Sequence, residues 1–138
     1  MNIKNCLIGG IVGGILFFFI GWLFYGILLG DYMAHNTGKI GNVVRPYMAY
    51  QYLIAGSLME GLLLAFIFDK AKVKTLAAGF VTGGIVGFLL AGSVDTIMYA
   101  TTLVLSKHSM AADIAAYTVM SAIAGAGIAM VLGKVSKD

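Results

Sequence analysis

Leu76–Leu105 reads LAAGFVTGGIVGFLLAGSVDTIMYATTLVL, thirty residues that carry one charge, Asp95. Gly79, Gly83, Gly87, Ala91, Asp95 and Tyr99 recur at every fourth position, which on a helix aligns them in one slowly drifting stripe. A helix this apolar all round would have no face for water, and one this rich in glycine would be a poor helix there. In a bilayer both objections lapse, because small residues let helix backbones approach closely. The stretch reads as a membrane span whose packing face ends in a carboxylate.

The whole composition points the same way. Hydrophobic residues make up 60% of the chain and charged residues 11%, against about 25% charged in a soluble domain, and the mean hydropathy is +0.95. The expected fold class is all-α: a polytopic membrane protein, a four-transmembrane-helix bundle in one membrane domain over residues 1–138. The expected spans cover about 6–30, 47–68, 76–105 and 114–133. A formal charge of +3 is too small and too dispersed to argue for nucleic acid. Cys6 stands alone, so no disulfide is expected. The uncharged run Cys6–Gly30 is too long for the apolar core of a signal peptide and reads as a retained span.

That first span holds three G-x-x-x-G pairs, Gly9/Gly13, Gly10/Gly14 and Gly26/Gly30, and the fourth repeats small residues at Ser121, Gly125, Ala129 and Gly133. Stripes on three of four spans exceed what one bundle was expected to use, so a homo-oligomer, most simply a dimer, is expected beside the lipid bilayer as partner. Residues 31–46 form the one substantial loop, with Pro46 expected in the first turn of the second span. Gly-Gly-Ile-Val-Gly occurs at 9–13 and again at 83–87, and the same offset aligns Tyr25 with Tyr99; the two halves then read as two parallel helix-pair repeats.

Basic residues set the orientation. With the N-terminus inside, Lys4, Lys70, Lys72, Lys74, Lys134 and Lys137 lie on the inner face and Lys39, Arg45 and Lys107 on the outer. Six against three places both termini in the cytoplasm. All seven tyrosines, Tyr52 and Tyr99 among them, then fall in the outer half with Trp22. An aromatic belt would occupy both interfaces, so the asymmetry calls for another cause, such as a polar outer cavity in which tyrosine hydroxyls find partners.

Glu60 is the sharpest candidate. It lies nine residues before Asp69, so roughly 13 Å from the inner boundary at about 1.5 Å per residue, near the middle of a core about 30 Å thick. A carboxylate there costs at least about 2.5–3.5 kcal/mol, so it must face protein or water. It is either a proton- or cation-handling group or a hydrogen-bonded tie between helices. Asp95 falls in the outer third, one turn below Tyr99, where Arg45 or Lys39 is expected to clamp it. Glu60, Asp95, Tyr99 and Tyr52 together make the candidate ion or ligand pathway.

Other chemistry finds little support. His35 and His108, with Asp31 and Asp113, are weak candidates for a metal, since no H-x-x-x-H or C-x-x-C spacing accompanies them. Ser57, Ser93 and Ser121 lie within spans with no histidine nearby in sequence to act as base. No nucleotide loop or G-x-S-x-G element occurs, so no cofactor is expected and enzymatic activity ranks last. The two leading readings are a small transporter or channel for protons, cations or a small solute, and a scaffold or accessory subunit that binds a partner membrane protein.

Across its whole length the chain resembles a family of small bacterial four-helix membrane proteins known only as a domain of unknown function. The residues that carry the likeness are Gly21-Trp22-Leu23-Phe24-Tyr25-Gly26 with Leu29-Gly30, the Leu62–Ala65 run, and the glycine-rich third span. The resemblance implies a bacterial inner-membrane location and four spans. It brings no activity, substrate or catalytic residue.

Overall fold

The computed structural model describes residues 2–39 and 45–135, and these form six helical segments. Helix α1 (Ile3–Gly21) continues as a π-helical stretch, Trp22–Leu28, followed by the short α2 (Gly30–His35). Then come α3 (Tyr50–Ala71), α4 (Leu76–Thr101) and α5 (Lys107–Val135). Four helices are long and apolar enough to cross a membrane: Ile3–Leu28, Tyr50–Ala71, Leu76–Thr101 and Lys107–Val135.

Local hydrogen bonding sets where these helices begin and end, and in several places it moves the expected boundaries. The Asn2 side chain accepts from the Lys4 and Asn5 amides, 3.1 and 3.4 Å, and starts α1 three residues before Cys6. Pro46 lies in a bend before α3 instead of in its first turn. At the other end of α3 Lys72 adopts a left-handed conformation (φ 58°), and the Val73 amide reaches back to the Phe68 carbonyl at 2.9 Å. That is a Schellman stop, with buried Val73 closing it. Asp69, expected in a polar turn, is therefore helical and 7% exposed.

Helix α4 stops at Thr101, four residues early. The hydroxyls of Thr101 and Thr102 donate to the carbonyls of Ile97 and Met98 (2.8 and 2.7 Å), and Thr102 turns extended. The strip beyond it pairs with the segment that follows α2: Thr37 bridges Leu105, the Gly38 amide donates to the Val104 carbonyl at 2.9 Å, and the Ser106 hydroxyl donates to the Asn36 carbonyl. Gly38 is required here, because a side chain would run into the Leu103 carbonyl. Ser106 and Ser109 then exchange side-chain-to-amide bonds at 3.1 and 2.9 Å, a reciprocal cap that starts α5 at Lys107 and not near Ile114. This carries Asp113 from an expected loop into α5 itself.

Two antiparallel hairpins make the bundle. In the first, Gly10 and Gly14 of α1 lie on Leu62 and Leu58 of α3, and Gly13 meets Gly61 backbone to backbone. In the second, Gly79, Gly83 and Gly87 of α4 lie on Gly125 and Ser121 of α5. Both copies of the Gly-Gly-Ile-Val-Gly run lie at close helix contacts, through Gly10 and Gly13 in the first hairpin and Gly83 and Gly87 in the second, and α1 and α4 run in the same sense. Helix α5 is the central one: it also packs along α1, where Ile128 and Leu132 cover Gly13 and Gly9, while α4 barely touches α3. Phe17, Leu64, Ala65, Phe68, Met120, Ala124, Ile128 and Leu132 fill the space between the hairpins.

The small-residue stripes of α4 and α5 are consequently spent on each other, and Gly9, Gly10, Gly13 and Gly14 of α1 on α3 and on Ile128 and Leu132 of α5. The sequence ground for a second copy was a surplus of such stripes; these contacts use most of them, whereas the nearest atoms to Gly26 and Gly30 are those of Trp22 and Tyr25 in their own segment. What the bundle turns outward is bulky instead: Ile11, Ile15 and Phe19 of α1 and Phe80, Ile85 and Phe88 of α4 are all about half exposed. Facing acyl chains this costs nothing, since lipid tails are as apolar as these side chains.

Candidate functional site

The site is built in the half of the first hairpin remote from the N-terminus, where α1 changes its winding. At its π-helical end the Leu29 amide bonds to the Phe24 carbonyl, five residues back, at 2.7 Å. Widened turns of this kind recur at functional sites because they redirect side chains. Tyr25 lies in the middle of the stretch, and the Trp22 ring rests against Gly26, where a Cβ would sit 3.4 Å from its Cδ1.

Below this stretch α1 and α3 leave a cavity of about 410 Å³. Met48 lies just before α3, Tyr50 and Tyr52 at its start, Gly56 and Ser57 about a third of the way along it, and Glu60 deepest, half-way along. The Tyr117 hydroxyl of α5 donates to Glu60 Oε1 at 2.9 Å. Tyr117 is held for this by Phe17, which stacks on it with ring centres 6.2 Å apart and planes 25° from parallel. Gly56 lines the cavity and is left open: a Cβ there would meet none of the described residues within 4 Å. Tyr25, Tyr50, Tyr52 and Tyr117 all line the cavity, which accounts for much of the one-sided tyrosine distribution.

Asp95 does not line it. It is 6% exposed at the α4–α5 contact, and its Oδ2 is buried without a hydrogen-bond partner among the described residues. The group that acts on it is Asp113 of α5, which also interacts with the Tyr25 hydroxyl. The expected clamp by Arg45 or Lys39 is not formed; both are exposed, and among the described residues no basic group acts on Asp95. The reason is the early start of α5, which places a second carboxyl where a basic loop was expected. Tyr25 also feels Tyr117, so the Glu60–Tyr117 and Asp95–Asp113 groups adjoin through one tyrosine without sharing a cavity.

Of the expected pathway residues, Glu60 and Tyr52 are brought together, Asp95 lies behind Tyr25 and Asp113, and Tyr99 is exposed on α4 outside the cavity. Tyr117, Tyr25 and Asp113 are the members that sequence reasoning passed over. Their signal was present but weak: two of them belong to the one-sided tyrosines, and Asp113 was set among loop acids. His35 bonds the Asp31 carbonyl at 2.6 Å, and among the described residues no three of His, Cys, Asp and Glu gather as a metal site. A wider hollow of about 630 Å³ opens at the opposite end, among Asn2, Lys4, Asp69, Lys72 and Lys74. It is a surface depression between helix ends, remote from Glu60.

Comparison with family models gives no match to this chain, and comparison with curated proteins and with solved structures gives none either. The functional reading rests on the geometry.

Proposed function

We propose that this is a small membrane transporter or channel in which protons, cations or a small solute reach Glu60 through the α1–α3 cavity. The observation that carries this reading is the cavity itself, which runs from the start of α3 to a carboxyl half-way along a membrane-spanning helix. A carboxyl is costly at that depth and is retained where it lines a path or ties helices. A purely structural acid has no need of an open space of about 410 Å³ beside it.

The rival reading, a scaffold or accessory subunit, has one specific observation in its favour. The Tyr117–Glu60 bond joins α5 to α3 and would hold the hairpins together without any transport. Glu60→Gln separates the two. It preserves shape and still accepts from Tyr117, but it cannot release a proton or carry charge. In liposomes under a pH or cation gradient, wild-type protein is expected to give flux above empty vesicles, and Glu60→Gln to lose most of it while assembling normally. Equal flux from both, or none from wild type across a panel of ions, would favour the scaffold for those ions.

The proposed orientation puts both termini in the cytoplasm of a bacterial inner membrane, from the basic-residue count and the resemblance noted above. The cavity mouth then opens toward the outer side. Single-cysteine variants at Asn36 and Ala111, on a Cys6→Ser background, are expected to react with an impermeant maleimide in intact cells. Ala111 is exposed and Asn36 is partly exposed. Reaction only after the inner face is opened would invert the orientation.

A further inference from the structure

We propose that the α1–α3 cavity takes a lipophilic organic cation: a quaternary or phosphonium-type centre carrying aromatic or alkyl groups. The inference rests on the cavity being a solute site and adds the class of solute. Of the fifteen residues that line it, seven are aromatic and one, Glu60, is acidic. Among the described lining residues none is basic. A volume of about 410 Å³ lies within the range of pockets that enclose small molecules.

The chemistry of the lining discriminates among solutes. An inorganic cation needs several oxygens to replace its hydration shell, and this cavity offers a single carboxylate, one oxygen of which is already held by Tyr117, beside the neutral hydroxyls of tyrosines and Ser57. An anion would face a carboxylate with no basic group to offset it. An uncharged apolar solute would gain from the rings but leave the carboxyl unused. A weakly hydrated organic cation matches both parts. Its charge pairs with Glu60 at the floor, and its substituents lie on aromatic faces that attract cations through their quadrupoles. Glu60 Oε1 is already held by Tyr117, which fixes the carboxyl in place before any ligand arrives. Trp22, Tyr50 and Tyr52 supply the rings nearer the mouth. Ring faces combined with one anionic charge are a known solution for onium groups.

Trp22 is the single tryptophan of the chain and lines the cavity, so its fluorescence reports occupancy directly. Protein in nanodiscs of phosphatidylethanolamine and phosphatidylglycerol, lipids without a quaternary ammonium, is titrated with tetraphenylphosphonium and separately with neutral triphenylphosphine oxide; empty discs supply the background. The expected result is a saturable Trp22 response to the phosphonium with affinity at least about tenfold above that for the oxide. Glu60→Gln is expected to abolish that preference. Tyr52→Leu, at a position 75% exposed, is expected to weaken the phosphonium several-fold and keeps the test open should Glu60→Gln fail to assemble. Equal binding of the two probes would overturn the proposal while leaving the cavity as a site for uncharged solutes. Binding of neither would overturn it too. In that case Glu60-dependent flux of protons or inorganic cations in the liposome assay shows that only the solute class has failed; its absence shows that the transport reading has failed with it.

Discussion

Gly61→Ala is expected to separate α1 from α3 and to cost about 3 kcal/mol, the upper part of the range for overpacking a tight contact. The added methyl would land on the Gly14 backbone nitrogen and the Gly10 carbonyl oxygen, and 2.7 Å from the Gly13 carbonyl carbon. Flexible side chains can swing away from such an intrusion, whereas helix backbone cannot. Relief therefore requires the two helices to move apart along their whole contact. Gly56→Ala, five residues earlier on the same helix, meets nothing within 4 Å. It is expected to be at least as stable as wild type, because alanine is the better helix former by up to about 1 kcal/mol. Unfolding by denaturing detergent, followed by circular dichroism, measures both. A Gly61→Ala protein as stable as Gly56→Ala would mean that α1 and α3 do not meet backbone to backbone.

The second large effect comes from the open position. Gly56 lines the cavity and a Cβ there meets none of the described residues within 4 Å, so Gly56→Leu has room to begin an isobutyl group that takes up cavity space. Solute binding and flux are expected to fall about tenfold or more, equivalent to about 1.4 kcal/mol or more of lost interaction, while yield, helicity and unfolding midpoint stay at the wild-type level. A protein that folds normally but no longer conducts would tie the activity to this cavity and to no other surface. If flux persists unchanged in Gly56→Leu, the path does not run between α1 and α3. A scaffold, by contrast, would be indifferent to filling the cavity and sensitive to Gly61→Ala alone. The paired glycines thus test fold and function separately on one helix.

What could be read in the chain was whatever depends on neighbours along it. Four long apolar stretches, the four-residue recurrence of Gly79, Gly83, Gly87, Ala91 and Asp95, and one acid half-way along the second span all follow from hydropathy and helical periodicity. Glu60 stood out for the same reason, since the cost of a carboxyl at that depth depends on its place along the helix and not on what lies opposite. Helix ends were legible only in part. Asn2, Thr75 and the Ser106–Ser109 pair act through individual hydrogen bonds, and the last of these lengthened α5 by about two turns.

The partners of Glu60 and Asp95 belong to the tertiary structure alone. Tyr117 lies 57 residues from Glu60 along the chain, and Asp113 comes beside Asp95 only because α5 begins early and pairs with α4 in an antiparallel register. In a soluble helix an apolar face would have announced which side turns inward. These spans are apolar on every side, so hydropathy carries no information about their rotation. Rotation is set by close contacts between small residues, and several faces offer them. Only the packed bundle determines that the α4 and α5 stripes meet each other while the α1 glycines meet α3 and α5, and that the space left over opens beside Glu60.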